Sequence, residues 1–281
     1  MSTTLVLGSE VFFPTDDPGA FAAEHRRLGF RAGVCPDVSI DDAPRLRAIE
    51  AAFAAHGVCI AEVWAWRNIM TPDEDVRRDN LAFVTHQMAV ADEVGAACCV
   101  DIAGSFDGAT LSGPHPRNLG QDFFDGTVQN CRAIIDAVRP RRTAFTLEMK
   151  GWNLPDGPES YLALIRAVDR PAFGVHMDPF NTINSPYRYY DSGGFIRENF
   201  EKLGPWIKSC HAKDLEWVPG KNVHFRETIP GRGGVDYAAY IAEAARWGVP
   251  LVMEHLATND EYQEGRRYIC DVAARIGVAV A

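Results

Sequence analysis

Four short segments offer side chains that a divalent cation accepts as ligands. They are Leu147-Glu148-Met149-Lys150, His176-Met177-Asp178-Pro179, Cys210-His211-Ala212-Lys213-Asp214 and Met253-Glu254-His255. Each lies at or just after a short apolar run with the composition of a buried β-strand. They recur roughly every 30 to 40 residues, close to the length of one βα unit. Three carboxylates (Glu148, Asp178, Glu254) and one imidazole (His211) suit a hard or borderline ion. One divalent metal is expected, manganese first, with magnesium or cobalt accepting the same ligands. Taken singly, each residue reads more readily as an ion-pair partner; four at corresponding places on consecutive strands read as a metal site.

The elements that must position them follow a strand–loop–helix rhythm. Apolar runs at 5–7, 30–34, 58–63, 98–103, 144–148, 172–178, 207–211 and 251–254 read as strands. Helical patterns fall at 21–28, 42–53, 72–94, 128–138, 158–168, 196–203, 237–247 and 262–276. Thr71 is the expected N-cap of the third helix, with Pro72 at its first position. The segment holding Tyr187, Tyr189 and Tyr190 reads as loop, as does the stretch from His211 to Val235. Eight alternating βα pairs imply a parallel sheet closed into one barrel. The fold class is therefore α/β, a single (β/α)8 TIM barrel occupying residues 1–281 as one domain. No GxGxxG or Walker loop follows the first strand, which disfavours the dinucleotide- and nucleotide-binding alternatives. In such a barrel the ends of strands five to eight lie side by side, so the four ligands converge on one point at its C-terminal mouth.

Residues two apart on a strand share a face. Lys150 should thus point with Glu148, His176 with Asp178, and Lys213 with His211. The lysines suit either an oxyanion or substrate hydroxyls, or simple neutralisation of the carboxylates; His176, one layer deeper, suits support of a ligand. His115 is held between Pro114 and Pro116 in the loop after strand four, a rigid presentation suited to an acid or base. His224, Arg226 and Arg232 lie on the long loop after strand seven and are candidates for substrate contact. Trp64, Trp66 and Trp152 follow strands, and aromatic rings at a barrel mouth can stack on sugars.

The bulk of the chain bounds the function. Its 281 residues are 47% hydrophobic and 23% charged, with a formal net charge of -10. That acidity excludes a cationic footprint for nucleic acid and disfavours an anionic membrane surface. Seven cysteines, an odd number without CxxC spacing, fit buried small residues in a reducing cytoplasm. No signal peptide or spanning segment is evident, so the expected location is cytoplasmic.

These residues resemble the xylose isomerase-like superfamily of sugar phosphate isomerases and epimerases, over most of the chain and most densely from Phe145 to Leu256. The order Glu148, Asp178, His211, Glu254 is similar to the metal quartet of its ketose 3-epimerases. The resemblance implies a carbohydrate substrate and an acid/base pair, Glu148 and Glu254, moving a proton at the carbon beside a carbonyl through an enediolate. Ketose 3-epimerases carry a substrate-binding His, a second Glu and an Arg where this chain has Asn181, Leu154 and Trp217. The His211–Asp214 segment and the Gly113–Pro116 loop look more like relatives acting on oxidised sugars, among them the C-glycoside deglycosidases. That likeness implies a lyase eliminating the anomeric substituent of a 3-keto glycoside, with His115 as base or relay and a small second subunit. Otherwise a homo-oligomer is expected. Endonuclease IV shares the fold, but its histidines and acids are missing at Asn181 and Asn222. An isomerase or epimerase leads, the lyase follows, and a sugar-binding barrel without turnover is the alternative of a different class.

Overall fold

The β-branched and aliphatic runs form eight parallel strands, β1 (Leu7–Ser9), β2 (Ala32–Val34), β3 (Cys59–Trp64), β4 (Cys98–Ile102), β5 (Ala144–Glu148), β6 (Phe173–Met177), β7 (Ile207–Ala212) and β8 (Leu251–Met253). The computed structural model describes residues 4–281. The strands pair in chain order, and β8 pairs with both β7 and β1, so the sheet closes into a barrel. Helices α1 (Pro18–Arg27), α2 (Ala43–Ala55), α3 (Glu74–Val94), α4 (Gln121–Val138), α5 (Pro158–Val168), α6 (Pro186–Tyr190), α7 (Ser192–Leu203), α8 (Tyr237–Trp247) and α9 (Asn259–Arg275) fill the connections. Among the described residues, no helix is long and apolar enough to cross a membrane.

Acidic and hydroxyl caps start the helices by accepting otherwise orphaned backbone N–H groups. Asp42 accepts from the Arg45 amide at 3.1 Å, Asp236 from Ala239 at 3.0 Å, and Thr258 from Glu261 at 3.2 Å. For α3 the cap is Asp73, not the expected Thr71: its carboxylate accepts from both Asp75 and Val76, and Thr71 is buried outside the helix. Helix α4 begins at Gln121, a full two turns before Val128. Gly126 interrupts the apolar pattern there because a Cβ would lie 2.7 Å from the Met70 methyl.

Two segments read as loop carry structure. Ser185 caps the short helix α6, which holds Tyr187, Tyr189 and Tyr190. After β7, Asp214–Trp217 and Phe225–Thr228 form an antiparallel hairpin with Trp217 opposite Phe225. The expected first strand is split: Thr4–Leu5 pairs with Ala279–Val280, and the barrel strand proper begins at Leu7.

The main core lies between strands and helices, with Phe145, Phe173, Leu147, Phe200 and Met253 buried. Three buried tyrosines tie that helix layer to the strand ends. Tyr161 of α5 places its hydroxyl 2.7 Å from the Leu147 carbonyl and accepts from the Leu147 amide at 3.0 Å. Tyr240 of α8 donates to the His211 carbonyl at 2.7 Å, and Tyr237 to the Lys213 carbonyl at 2.6 Å. Each contact sits within two residues of a side chain in the quartet, so the helix layer sets the spacing of the mouth.

Candidate metal centre

Glu148 ends β5, His211 lies near the end of β7, and Asp178 and Glu254 follow β6 and β8 by one residue. All four are buried, and their ligand atoms lie within 4.8 Å of one another. His211 Nδ1 is 3.1 Å from Glu148 Oε1 and 2.8 Å from Glu254 Oε2. Asn181 Nδ2 donates to Glu148 Oε1 at 3.1 Å and to Asp178 Oδ2 at 2.7 Å. Hard oxygen donors and one imidazole converging this closely fit a divalent cation.

Three carboxylates packed together need positive charge. Lys213 Nζ supplies it at 2.5 Å from Glu254, 2.8 Å from Asp178 and 3.1 Å from Glu227. Lys150 Nζ lies 2.5 Å from Glu148 Oε2. Burial opposes ionisation of Glu148, but Lys150 and His211 hold its carboxyl well below the usual range. Asp178 is pushed up to about 7 by burial, which outweighs Lys213 and is reinforced by the charges of Glu148 and Glu254. Burial works against charging Lys213, yet Asp178 and Glu254 hold it protonated, well above its ordinary value.

Beneath the quartet is a buried polar column centred on Glu62, on β3, which the sequence reading passed over. Its Oε1 accepts from Ser209 Oγ at 2.5 Å and faces His176 Nε2 at 2.9 Å; its Oε2 accepts from Trp64 Nε1 at 2.9 Å and faces His211 Nε2 at 3.1 Å. His211 thus turns Nδ1 to the quartet and Nε2 to a carboxylate, the arrangement that fixes ring and tautomer of a metal-binding histidine. Glu62, His176 and His211 also stand close enough to suggest a second cation. Each Glu62 oxygen already accepts from another donor, Ser209 Oγ or Trp64 Nε1, an arrangement suited to supporting His211. The one signal for Glu62 in sequence was an acid inside an apolar run, at the same strand face as Trp64.

The remaining candidates separate cleanly. A cavity of about 670 Å³ lies beside the site, lined by Lys150, Trp152, Asn181, His224, Phe225 and Glu227 among others, with Lys150 and Asn181 in contact with the quartet. Trp66 is half-buried, with its ring centroid 6.3 Å from that of His211. His176, which the sequence places one layer deeper, is fully buried with its ring centroid 4.1 Å from that of His211 and does not line the cavity, so it is out of reach as a substrate contact. Lys213 is equally buried and its ammonium is taken up by three carboxylates. Trp64 directs its N–H down to Glu62. Arg226 faces solvent and pairs with Glu216, because strand alternation turns its neighbour Glu227 inward to Lys213. His115 is not among the cavity-lining residues: its Nδ1 accepts from the Arg117 amide at 3.3 Å and its ring packs edge-on against Phe106. Arg232 pairs with Glu264 on the surface.

Two further acids escaped the sequence reading. Glu227 bridges Lys213 and His255, its Oε2 2.7 Å from His255 Nδ1. Asp214 accepts from the amides of Leu215, Gly231, Gly233 and Val235, folding the loop after β7 back over the mouth. Gly233 is required there, since a Cβ would collide with the Asp214 carboxylate.

A closed parallel barrel of eight strands with helices between them, carrying at the C-terminal ends of four successive strands side chains that could hold a metal ion, is a single (β/α)8 TIM barrel. The model of the family described as xylose isomerase-like TIM barrel matches residues 22–272, and the chain belongs to that family. No curated protein matches the chain. Among solved structures, a xylose isomerase-like TIM barrel protein from Mycobacterium smegmatis in complex with magnesium is 19% identical, with a TM-score of 0.67 over 98% of this chain and 99% of that one. The 3-keto-D-glucoside 4-epimerase from E. coli is 14% identical, with a TM-score of 0.66 over 95% and 100%. The D-psicose 3-epimerase from Clostridium cellulolyticum H10, solved with D-tagatose, is 14% identical, with a TM-score of 0.63 over 95% and 99%. At these identities the likeness is one of fold.

Proposed function

We propose that the protein is a divalent-metal-dependent isomerase or epimerase that moves a proton at the carbon beside the carbonyl of a keto sugar. The observation that carries this reading is the convergence of Glu148, Asp178, His211 and Glu254 within 4.8 Å, next to a cavity whose lining includes Lys150 and Asn181, both in contact with Glu148. These four residues would hold a divalent cation, manganese, magnesium or cobalt, which when bound would supply positive charge beside the carbonyl and so acidify the neighbouring carbon. Glu148 and Glu254 reach His211 Nδ1 from β5 and from the residue after β8, so one carboxylate can remove the proton and the other return it. Lys150, on the cavity wall beside Glu148, keeps that carboxylate ionised as a base and reaches substrate oxygens. Asn181 orients Glu148 and Asp178 together. Glu62 holds His211 in the tautomer that leaves Nδ1 for the cation.

The similarity in fold to a 3-keto-D-glucoside epimerase and a D-psicose epimerase sets the substrates to try. Deuterium exchange from solvent into D-psicose, D-fructose and methyl 3-keto-β-D-glucoside, followed by NMR, is expected for at least one of them. Glu148→Gln and Glu254→Gln are each expected to cut that exchange by more than about 100-fold, the usual scale for loss of a general acid or base. Exchange that persists in both variants, or after chelation of the metal, refutes the assignment.

A further inference from the structure

Two cavities border the cluster of four, and one side chain lines both. The larger meets the cluster through Lys150 and Asn181, which contact Glu148. The smaller, of about 300 Å³, is walled by residues of the hairpin after β7 and of the loop after β8, and Glu254 and Lys213 belong to its own lining. Glu227 borders the two. Among the described residues it is also the one carboxylate that lines the larger cavity.

Glu227 is fixed from two directions. Its Oε1 lies 3.1 Å from Lys213 Nζ and its Oε2 lies 2.7 Å from His255 Nδ1. His255 directly follows Glu254 and has a φ of 60°. That left-handed conformation costs a residue other than glycine free energy, and it persists where the surroundings enforce it. In an extended chain the two neighbours would point apart. Here both line the smaller cavity, and His255 Nε2 comes within 3.5 Å of Glu254 Oε2. The loop after β8 is thus bent to hold Glu227 beside the cluster.

Burial works against the charge of Glu227, but the His255 and Lys213 contacts hold its carboxyl below the ordinary value. An ionised carboxylate accepts about four hydrogen bonds. Lys213 and His255 take one on each oxygen, and the side chain is still 41% exposed, so both oxygens keep acceptor capacity. Lys150 is the one Lys or Arg in the lining of the larger cavity, and its ammonium is already paired with Glu148. An anionic group placed beside Glu227 would therefore meet a like charge with no unpaired ammonium or guanidinium in that lining to offset it.

We propose that Glu227 is a substrate-binding residue that determines specificity: its carboxylate accepts hydrogen bonds from neutral hydroxyls of the substrate and excludes a phosphate or carboxylate from the part of the cavity it lines. This rests on the proposed function in taking a sugar as the ligand, but it concerns binding and not proton transfer.

Calorimetry on the manganese-loaded protein tests it with D-fructose, D-fructose 1-phosphate and D-fructose 6-phosphate, which carry the anion at neither end or at one end of the same sugar. D-fructose is expected to bind at least about tenfold more tightly than one of the phosphates, and that one identifies the end beside Glu227. Salt of about 1 M should narrow this preference on the unmodified protein, because it screens the repulsion. Glu227→Gln keeps the size of the side chain and removes its charge. It should weaken D-fructose by about 5- to 30-fold, the difference between a charged and a neutral acceptor. It should also tighten the disfavoured phosphate, leaving the two within about threefold or reversed. A merely structural role would weaken both together. Glu227→Asp, which retains the charge, should retain the exclusion, and thermal melting verifies the fold of each variant. Equal binding of all three compounds by the unmodified protein, tighter binding of both phosphates, parallel losses in Glu227→Gln, or no binding of any compound overturns the inference. Selectivity without deuterium exchange would sink the enolisation reading alone, and exchange without selectivity would sink this one alone.

Discussion

Replacing Glu62 by glutamine isolates the electrostatic part of the column beneath the metal site. The carboxylate receives four contacts, two on each oxygen, at 2.5 to 3.1 Å. An amide can keep all four. Its oxygen accepts from Trp64 Nε1 and His211 Nε2, while its NH2 donates to Ser209 Oγ and to His176 Nε2. His176 accommodates this by moving its proton to Nδ1, which is buried and has no partner in the present arrangement. What is lost is the charge opposite His211. A hydrogen bond to a charged group contributes about 1.5–3 kcal/mol and a neutral one about 0.5–1.5 kcal/mol, so the change at His211 is about 1–2 kcal/mol. That corresponds to metal binding weakened by about 5- to 30-fold, overlapping the roughly 10- to 100-fold range seen when the outer partner of a metal-binding histidine is altered. Competitive titration with a chromophoric chelator measures it, and urea unfolding of the metal-free protein checks the fold. Manganese affinity within twofold of wild type, with the fold intact, would refute the role given to Glu62. Glu62→Leu, which leaves four polar groups without a partner, should instead fail in the unfolding assay first.

Three further outcomes are expected. Asp178 has a folded value of about 7 against about 3.9 unfolded. For an acid raised in this way the folded form holds the extra proton, so its ionisation destabilises the metal-free protein progressively as pH rises from about 4 to 7. Melting of Asp178→Asn against wild type in chelator across that window checks the sign, and calorimetry at pH 6 in two buffers should show proton release on adding metal. Lys213→Met removes the ammonium shared by Asp178, Glu254 and Glu227 and should destabilise the metal-free protein by about 3–5 kcal/mol, with added manganese recovering part of the loss in thermal melts. Tyr240→Phe leaves the buried His211 carbonyl short of its donor and should cost about 1–3 kcal/mol in urea unfolding, with weaker metal binding as a secondary effect.

Barrel and quartet were legible in the sequence because both rest on patterns that local chemistry enforces. Buried strands between helices must be continuous apolar runs, and a polar ligand at the end of such a run stands out against them. The helix starts were less legible, since Thr71 and Asp73 are both competent caps and the choice depends on which one the tertiary structure buries. The hairpin after β7 was read as loop because its outer face is polar and its pairing is set by Asp214 gathering amides from residues 17 to 21 positions away. With Arg226 expected on a loop, the strand alternation that turns it and Glu227 to opposite faces had no basis in the sequence. Glu62 was hidden for a related reason: an acid inside a strand reads as an exception until the partners from β6 and β7 are brought against it.

Those partners lie 114, 147 and 149 residues from Glu62 along the chain. A half-barrel that contains β3 contains none of His176, Ser209 or His211, and a half-barrel that contains those three lacks the carboxylate they need. Neither piece can bury its polar side chains without cost until the other has docked. Ring closure is thereby tied to satisfaction of the column, which penalises partly assembled barrels and favours a single cooperative folding unit over two halves that mature separately.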